Sequence, residues 1–172
     1  MSFILTAKNA LEQAQKMQKR IAALKYLNTH TVDVGLPSTA SGHSRFLLGI
    51  HEHGSPIMHI PARPVVQPAL AQADVRAAMR DAMKSGHSAA MDGDMEGTKA
   101  ALEAAGQAGA DGIRAYIDAG VSPPNSPVTV SGGWIYNRVA KVGVPVSGKG
   151  FNKPLIRTGE LYNDFGYEIK SK

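Results

Sequence analysis

Cysteine is absent from the 172 residues. That excludes disulfides and every thiolate metal site, and it leaves the redox compartment open. Aromatic residues are scarce, at 6% of the chain, so the hydrophobic fraction leans on alanine. Small side chains bury less apolar area per residue, and part of the stability is expected to come from neighbours in an assembly. No apolar run approaches the roughly 20 residues needed to cross a bilayer. The opening Met1-Ser2-Phe3-Ile4-Leu5 meets Lys8 too soon to serve as a secretory leader. A soluble protein synthesised inside the cell is expected, long enough at this length to form one domain over residues 1–172 with a real core.

Catalytic patterns are missing as well. Gly-x-Ser-x-Gly does not occur, and nothing orders the serines, His87 and the acids into a triad. Ser131-Gly132-Gly133 and Gly148-Lys149-Gly150 resemble phosphate loops in composition only, because the P-loop spacing is lacking. His51 and His53 flank Glu52, with His59 nearby, and an extended strand would bring the first two to one side. The residues before them favour a helix, where positions two apart diverge. A metal hydrolase around these histidines would carry stoichiometric zinc; the expectation is no metal, no cofactor and no enzyme activity.

Charge is plentiful but uneven. The net charge is +5, and Lys8, Lys16, Lys19, Arg20 and Lys25 face only Glu12 in the first helical stretch. From Trp134 to Arg157 there is no acid at all beside Arg138, Lys141, Lys149, Lys153 and Arg157, while Asp92 to Asp118 is acidic in compensation. Such asymmetry suits a polyanion near one surface and complementary contacts between copies at another.

Apolar periodicity predicts a helix over Ala7 to Leu24, with Leu11, Ala14, Met17, Ile21 and Leu24 as its stripe. Thr31 to Leu36 alternates as a strand ending at Pro37. Ser44 is expected to cap a short helix through Arg45 to Ile50. After Pro64 a helix is expected to about Lys84, with Pro68 in its first turn and a break at Ser85-Gly86-His87. Another runs from about Asp94 to Ala119, its stripe including Gly106 and Gly109, which imply close approach by another element, and Gly120 ends it. Val128-Thr129-Val130 and Trp134-Ile135-Tyr136 read as strands around a Ser131-Gly132-Gly133 turn. Lys141 to Gly150 reads as a basic loop or hairpin, Gly159 to Asp164 as a short helix capped by Thr158, and Phe165 to Ile169 as a final strand. The architecture expected is α+β, a small antiparallel sheet packed by two to three long helices.

Two ordered motifs, about ninety residues apart, carry the most information. The first comprises Glu52 and Gly54 followed by Ile60-Pro61-Ala62-Arg63-Pro64. Its two prolines fix φ twice within four residues. Arg63, at a helix start where the dipole offers it nothing, is expected to seek a carboxylate, with Glu52 the obvious candidate. The second is Lys153-Pro154-Leu155-Ile156-Arg157-Thr158-Gly159-Glu160-Leu161. Here Pro154 stiffens the entry, Leu155 and Ile156 are expected to enter the core, and Leu161 to complete the buried contact.

Taken together, the motifs resemble the E-x-G with I-P-A-R-P and the K-P-L-I-x-T-G-x-L of the virion-morphogenesis or tail-completion family of long-tailed bacteriophages. Pro123-Pro124-Asn125-Ser126-Pro127 before Thr129 is similar to that family's proline-rich run. The chain departs from the pattern in carrying Val65-Val66 where an aromatic commonly follows Arg-Pro, and in an added segment at about 131–151. The resemblance implies a structural virion protein, made in the host cytoplasm, that forms a homo-oligomeric ring at the head–tail junction beside other neck, tail or connector proteins. Six copies would match a tail tube and are favoured; twelve would match a connector. A minor head or sheath-associated component is the near variant. Lys141, Lys149 and Lys153 would then offer weak, salt-sensitive contact to genome DNA in the lumen. The rival class is a nucleic-acid-binding module that stacks bases on Trp134 and Tyr136 beside the basic 134–157 segment.

Overall fold

The computed structural model describes residues 2–57, 60–137 and 140–172. Among them the chain is mixed helix and strand: seven helices and two separate antiparallel pairs of strands. In order these are α1 (Ser2–Thr29), β1 (His30–Gly35), α2 (Gly42–His53), α3 (Val66–Leu70), α4 (Ala73–Asp92), α5 (Met95–Ala119), α6 (Pro127–Ser131), β2 (Gly133–Asn137), β3 (Val142–Val146), α7 (Glu160–Asp164) and β4 (Gly166–Ser171).

Helix α5 is the axis of the fold. Asp94 caps it, its side chain accepting from the Gly97 N–H, as a helix start requires. One side of α5 receives α4, and another receives the ribbon of β1 paired with β4. Its glycines explain how everything fits so closely. A Cβ on Gly106 would fall 2.4 Å from the Tyr167 ring of β4, one on Gly109 would fall 2.9 Å from both Val34 methyls of β1, and one on Gly112 would fall 2.6 Å from a Val75 methyl of α4. The approach expected at Gly106 and Gly109 is therefore made by the strand ribbon. Gly112, not singled out in the sequence, does the same for α4.

Three expected features differ, each for a local reason. Ser85-Gly86-His87 does not break α4, which runs on to Asp92. Gly86 sits where α4 meets α5, 2.8 Å from Ala101 Cβ were a methyl present, and that packing offsets the roughly 1 kcal/mol cost of an interior glycine. The break falls earlier instead, at Ala71-Gln72, between α3 and α4. Val128-Thr129-Val130 is helical, not extended: Ser126 caps α6 and Pro127 occupies its first position, and this start signal overrides the preference of β-branched residues for strands. Ser41, not Ser44, caps α2, accepting from the Ser44 N–H at 2.9 Å, and Ser44 itself is fully buried in the first turn.

The segment expected to be a basic loop or hairpin forms a hairpin, β2 paired with β3. It is separate from the β1–β4 ribbon, so no continuous sheet forms. Every residue of β2 is exposed, and α6 is its main neighbour in the fold. The hairpin is apolar and aromatic along its length rather than basic. Lys141 stands in the turn with φ 54°, Arg138 lies outside the described residues, and the other cations follow the hairpin.

Helix α1 is longer than expected and only half covered. Ala23 is buried and Leu24 and Leu27 partly so where α1 meets α4. Toward the N-terminus its stripe is bare: Leu11 is 61% exposed, Met17 51% and Ile21 57%. Among the described residues no helix is long and apolar enough to cross a membrane.

Candidate functional site

The two motifs meet. Val65, directly after Ile60-Pro61-Ala62-Arg63-Pro64, packs in one buried cluster with Leu161, Phe165, Val121 and the α5 residues Ile113 and Ile117. Leu155 and Ile156 pack against the same cluster, half-buried, and Pro154 is buried beside them. Leu155 holds φ 64°, a left-handed backbone that costs a branched residue about 1–2 kcal/mol; its core contact offsets that strain.

In the first motif every polar group is directed to backbone. Glu52 Oε1 accepts from the N–H groups of Val65 at 2.9 Å and Val66 at 3.0 Å, supplying the start of α3 with the carboxylate that its own cap residue lacks. Arg63 does not pair with Glu52. Its Nε donates to the Pro123 carbonyl at 2.7 Å and its second guanidinium nitrogen to the Pro124 carbonyl at 2.9 Å, and the residue is only 6% exposed. A Pro-Pro step offers carbonyl acceptors with no N–H of its own, so the guanidinium fork finds two acceptors in succession there. That shortage of donors was the available sequence signal, and it pointed to Arg63 better than Glu52 did.

Gly54 terminates α2 at φ 73°, and a Cβ there would lie 2.9 Å from both Ala62 N and Ile60 O. The Ser55–Ile60 bridge and the bond from Arg63 N–H to the His51 carbonyl close this turn. Pro61, Ala62 and Pro64 are exposed and act through their backbone. In the second motif the cap of α7 is Gly159, at φ 84°, without a side-chain bond. Thr158 Oγ1 reaches only the Glu160 N–H, at 3.4 Å, so the capping role expected of Thr158 passes to the left-handed backbone of Gly159. Carboxylates of α7 also brace the start of α2: Glu160 accepts from the Ser41 hydroxyl at 2.7 Å and Asp164 from the Ser41 N–H at 3.1 Å. Asn152 accepts from the Asn125 N–H at 3.1 Å, tying the second motif to the proline run.

Of the three lysines considered for DNA, two have internal partners. Lys149 Nζ donates to the Ile156 carbonyl at 2.8 Å and to the Lys153 carbonyl, and it lies 4.8 Å over the Phe151 ring. Lys153 is 3.5 Å from Asp118. Lys141 alone stands out on the hairpin turn. The histidines are also apart in role: His51 and His53 lie two residues apart on α2, His53 bonds the Gly49 carbonyl at 3.1 Å, and His59 lies outside the described residues. Among the described residues no three His, Asp or Glu side chains are grouped to hold a metal.

Comparison with protein families, curated proteins and solved structures finds no match. Glu52, Arg63 and Asn152 are directed to backbone groups and the apolar side chains to a common core, which is the chemistry of a brace between segments far apart in the chain.

His51 gives this brace a pH dependence. Burial, then the charges of Arg63 and Lys149, hold its imidazole below the ordinary histidine value. A histidine depressed in the fold contributes stability that is full above its unfolded value, about 6.5, and is lost as pH falls through the folded one. The melting temperature is expected to drop on acidification from pH 7 to 5, and His51→Gln is expected to flatten that part of the curve. Equal slopes for the two proteins would remove His51 from the account.

Proposed function

We propose that this chain is a non-enzymatic structural subunit that assembles into a closed homo-oligomeric ring, of the kind found at the head–tail junction of tailed bacteriophages, and works in the virion beside neck, tail or connector proteins. The observation that carries the assembly part is the bare stripe on α1. Leu11, Met17 and Ile21 stand open along a helix whose cations, Lys8, Lys16, Lys19 and Lys25, make no ion pair among the described residues. A heterologous contact repeated about an axis would cover that stripe on every copy. Glu103 of α5, exposed and in no ion pair among the described residues, supplies an opposite charge for such a contact. The phage part rests on the two motifs and on their convergence at one brace.

Light scattering with negative-stain images of the purified chain tests the reading. A closed ring of six or twelve copies is expected. A monomer that stays a monomer at high concentration would overturn self-assembly as its intrinsic property. One observation favours a second reading, single-strand binding: Trp134 and Tyr136, 72% and 63% exposed, stand two apart on β2 and so share one face of the hairpin. That reading requires salt-sensitive binding of single strands by the monomer, lost in Trp134→Ala.

A further inference from the structure

A cavity of about 360 Å³ lies between α6, the β2–β3 hairpin and the chain returning from it. Val128, Ile135 and Val146 make its apolar wall, and Thr129, Ser147, Lys149 and Arg157 its polar side. We propose that this cavity binds a phosphate group. Charge is the first argument. No carboxylate lines the cavity, and the segment that builds most of it contains no acid from Trp134 to Arg157. Lys149 is pushed below the ordinary lysine value by burial and then by the charges of Arg63 and Arg157, so the cluster carries positive charge with no anion to balance it.

Unused hydrogen-bonding capacity is the second argument. Arg157 forms no hydrogen bond or ion pair among the described residues, leaving a five-donor fork free. Lys149 has given two of its three hydrogens to the carbonyls of Lys153 and Ile156 and keeps one. Those same bonds, with Phe151 beneath the amine, fix the charge in place, so little ordering is needed on binding. The position is further locked by Lys149 N–H to the Thr129 carbonyl at 3.0 Å and Gly150 N–H to the Val130 carbonyl at 2.9 Å. Two cations beside the Ser147 and Thr129 hydroxyls, the latter shared with Ser126 at 2.9 Å, are answered better by the charge of nearly −2 and the three or four oxygens of a phosphate than by a single carboxylate. The apolar wall and the volume leave room for carbon attached to it, as in a monoester or a nucleic-acid backbone.

The experiment compares melting temperatures of the full chain in inorganic phosphate and in sodium chloride at matched ionic strength. At about ten times the dissociation constant, phosphate is expected to raise Tm by about 3–6 °C. Phosphate also stabilises proteins without a site, by exclusion from their surface, so Arg157→Gln is the control. The exposed Arg157 is expendable to the fold, and the variant is expected to keep its Tm in chloride while losing the phosphate-specific rise. Lys141→Gln is expected to keep that rise. A short single-stranded oligonucleotide that competes for the site marks DNA as the source; failure to compete marks a free phosphate or monoester. No phosphate-specific rise, or the same rise in Arg157→Gln, overturns the proposal. Because ring mass is measured separately, the phosphate site and the assembly reading fail independently.

Discussion

Arg63→Met is expected to lower the melting temperature by roughly 5–10 °C without changing the mean helical content. Methionine keeps most of the apolar stem but removes both bonds from the guanidinium to the Pro123 and Pro124 carbonyls. Bonds to a charged donor contribute about 1.5–3 kcal/mol each. The two prolines are exposed, so water recovers part of that loss at their carbonyls, and a net cost of about 2–3 kcal/mol results. For a chain of this size each kcal/mol shifts Tm by about 2–4 °C. The consequence extends beyond the pair. Val121, two residues before Pro123, is buried in the cluster that holds Val65 and Leu161, so freeing the proline run loosens the place where both motifs meet. Arg63→Lys is expected to fall between wild type and methionine, since an ammonium on a flexible stem lacks the planar fork that reaches both carbonyls. Thermal unfolding followed by circular dichroism measures all three. If methionine costs under 2 °C, the fork is not what holds the run.

Much of this fold could be read from the chain, and what was missed was decided mostly by partners elsewhere in the fold. α5 was legible because its cap, its 3.6-residue stripe and its terminal glycine agree, and β1 because alternation ends at a proline. α1 was legible as a helix with an apolar stripe, but not the bareness of that stripe. Periodicity reports which face is apolar and says nothing about whether the covering surface belongs to the same copy. Gly86 was misread as a breaker because its reason for being glycine, the approach of Ala101, comes from another helix. Val128-Thr129-Val130 was misread because β-branched composition outweighed the Ser126-Pro127 start signal.

At the site, the anchors were found and their partners were not. Glu52 and Arg63 were both singled out, but charge complementarity paired them with each other. Each takes backbone groups instead, which carry no letter in the sequence. The hairpin shows the same limit from the other side. Its segment was read as basic because the cations were counted over 134–157, whereas Trp134, Ile135 and Tyr136 fill β2 and leave Lys149 and Arg157 to the chain that follows.

The sharpest consequence of the α1 stripe is that Leu11→Glu with Ile21→Glu should reduce a ring to single chains while leaving the fold intact. Both positions are more than half exposed in the protomer, where substitutions cost little, within about 0.5 kcal/mol. Within α1 the new carboxylates are favourable: Glu at position 11 lies three residues from Lys8, and Glu at position 21 lies four residues before Lys25, the better orientation for such a pair. The loss therefore falls on the contact alone. Burial of one leucine or isoleucine contributes about 1.5–3 kcal/mol, and a buried unpaired carboxylate adds several more. Each contact should weaken by at least a thousandfold, since about 4 kcal/mol corresponds to that factor. Light scattering is expected to give the mass of one chain, with a melting temperature within about 2 °C of a wild-type monomer. An unchanged ring would move the contact off α1. The hairpin face carrying Trp134 and Tyr136 would then be the next exposed apolar surface to test, among the described residues, as one that a neighbouring copy has reason to cover.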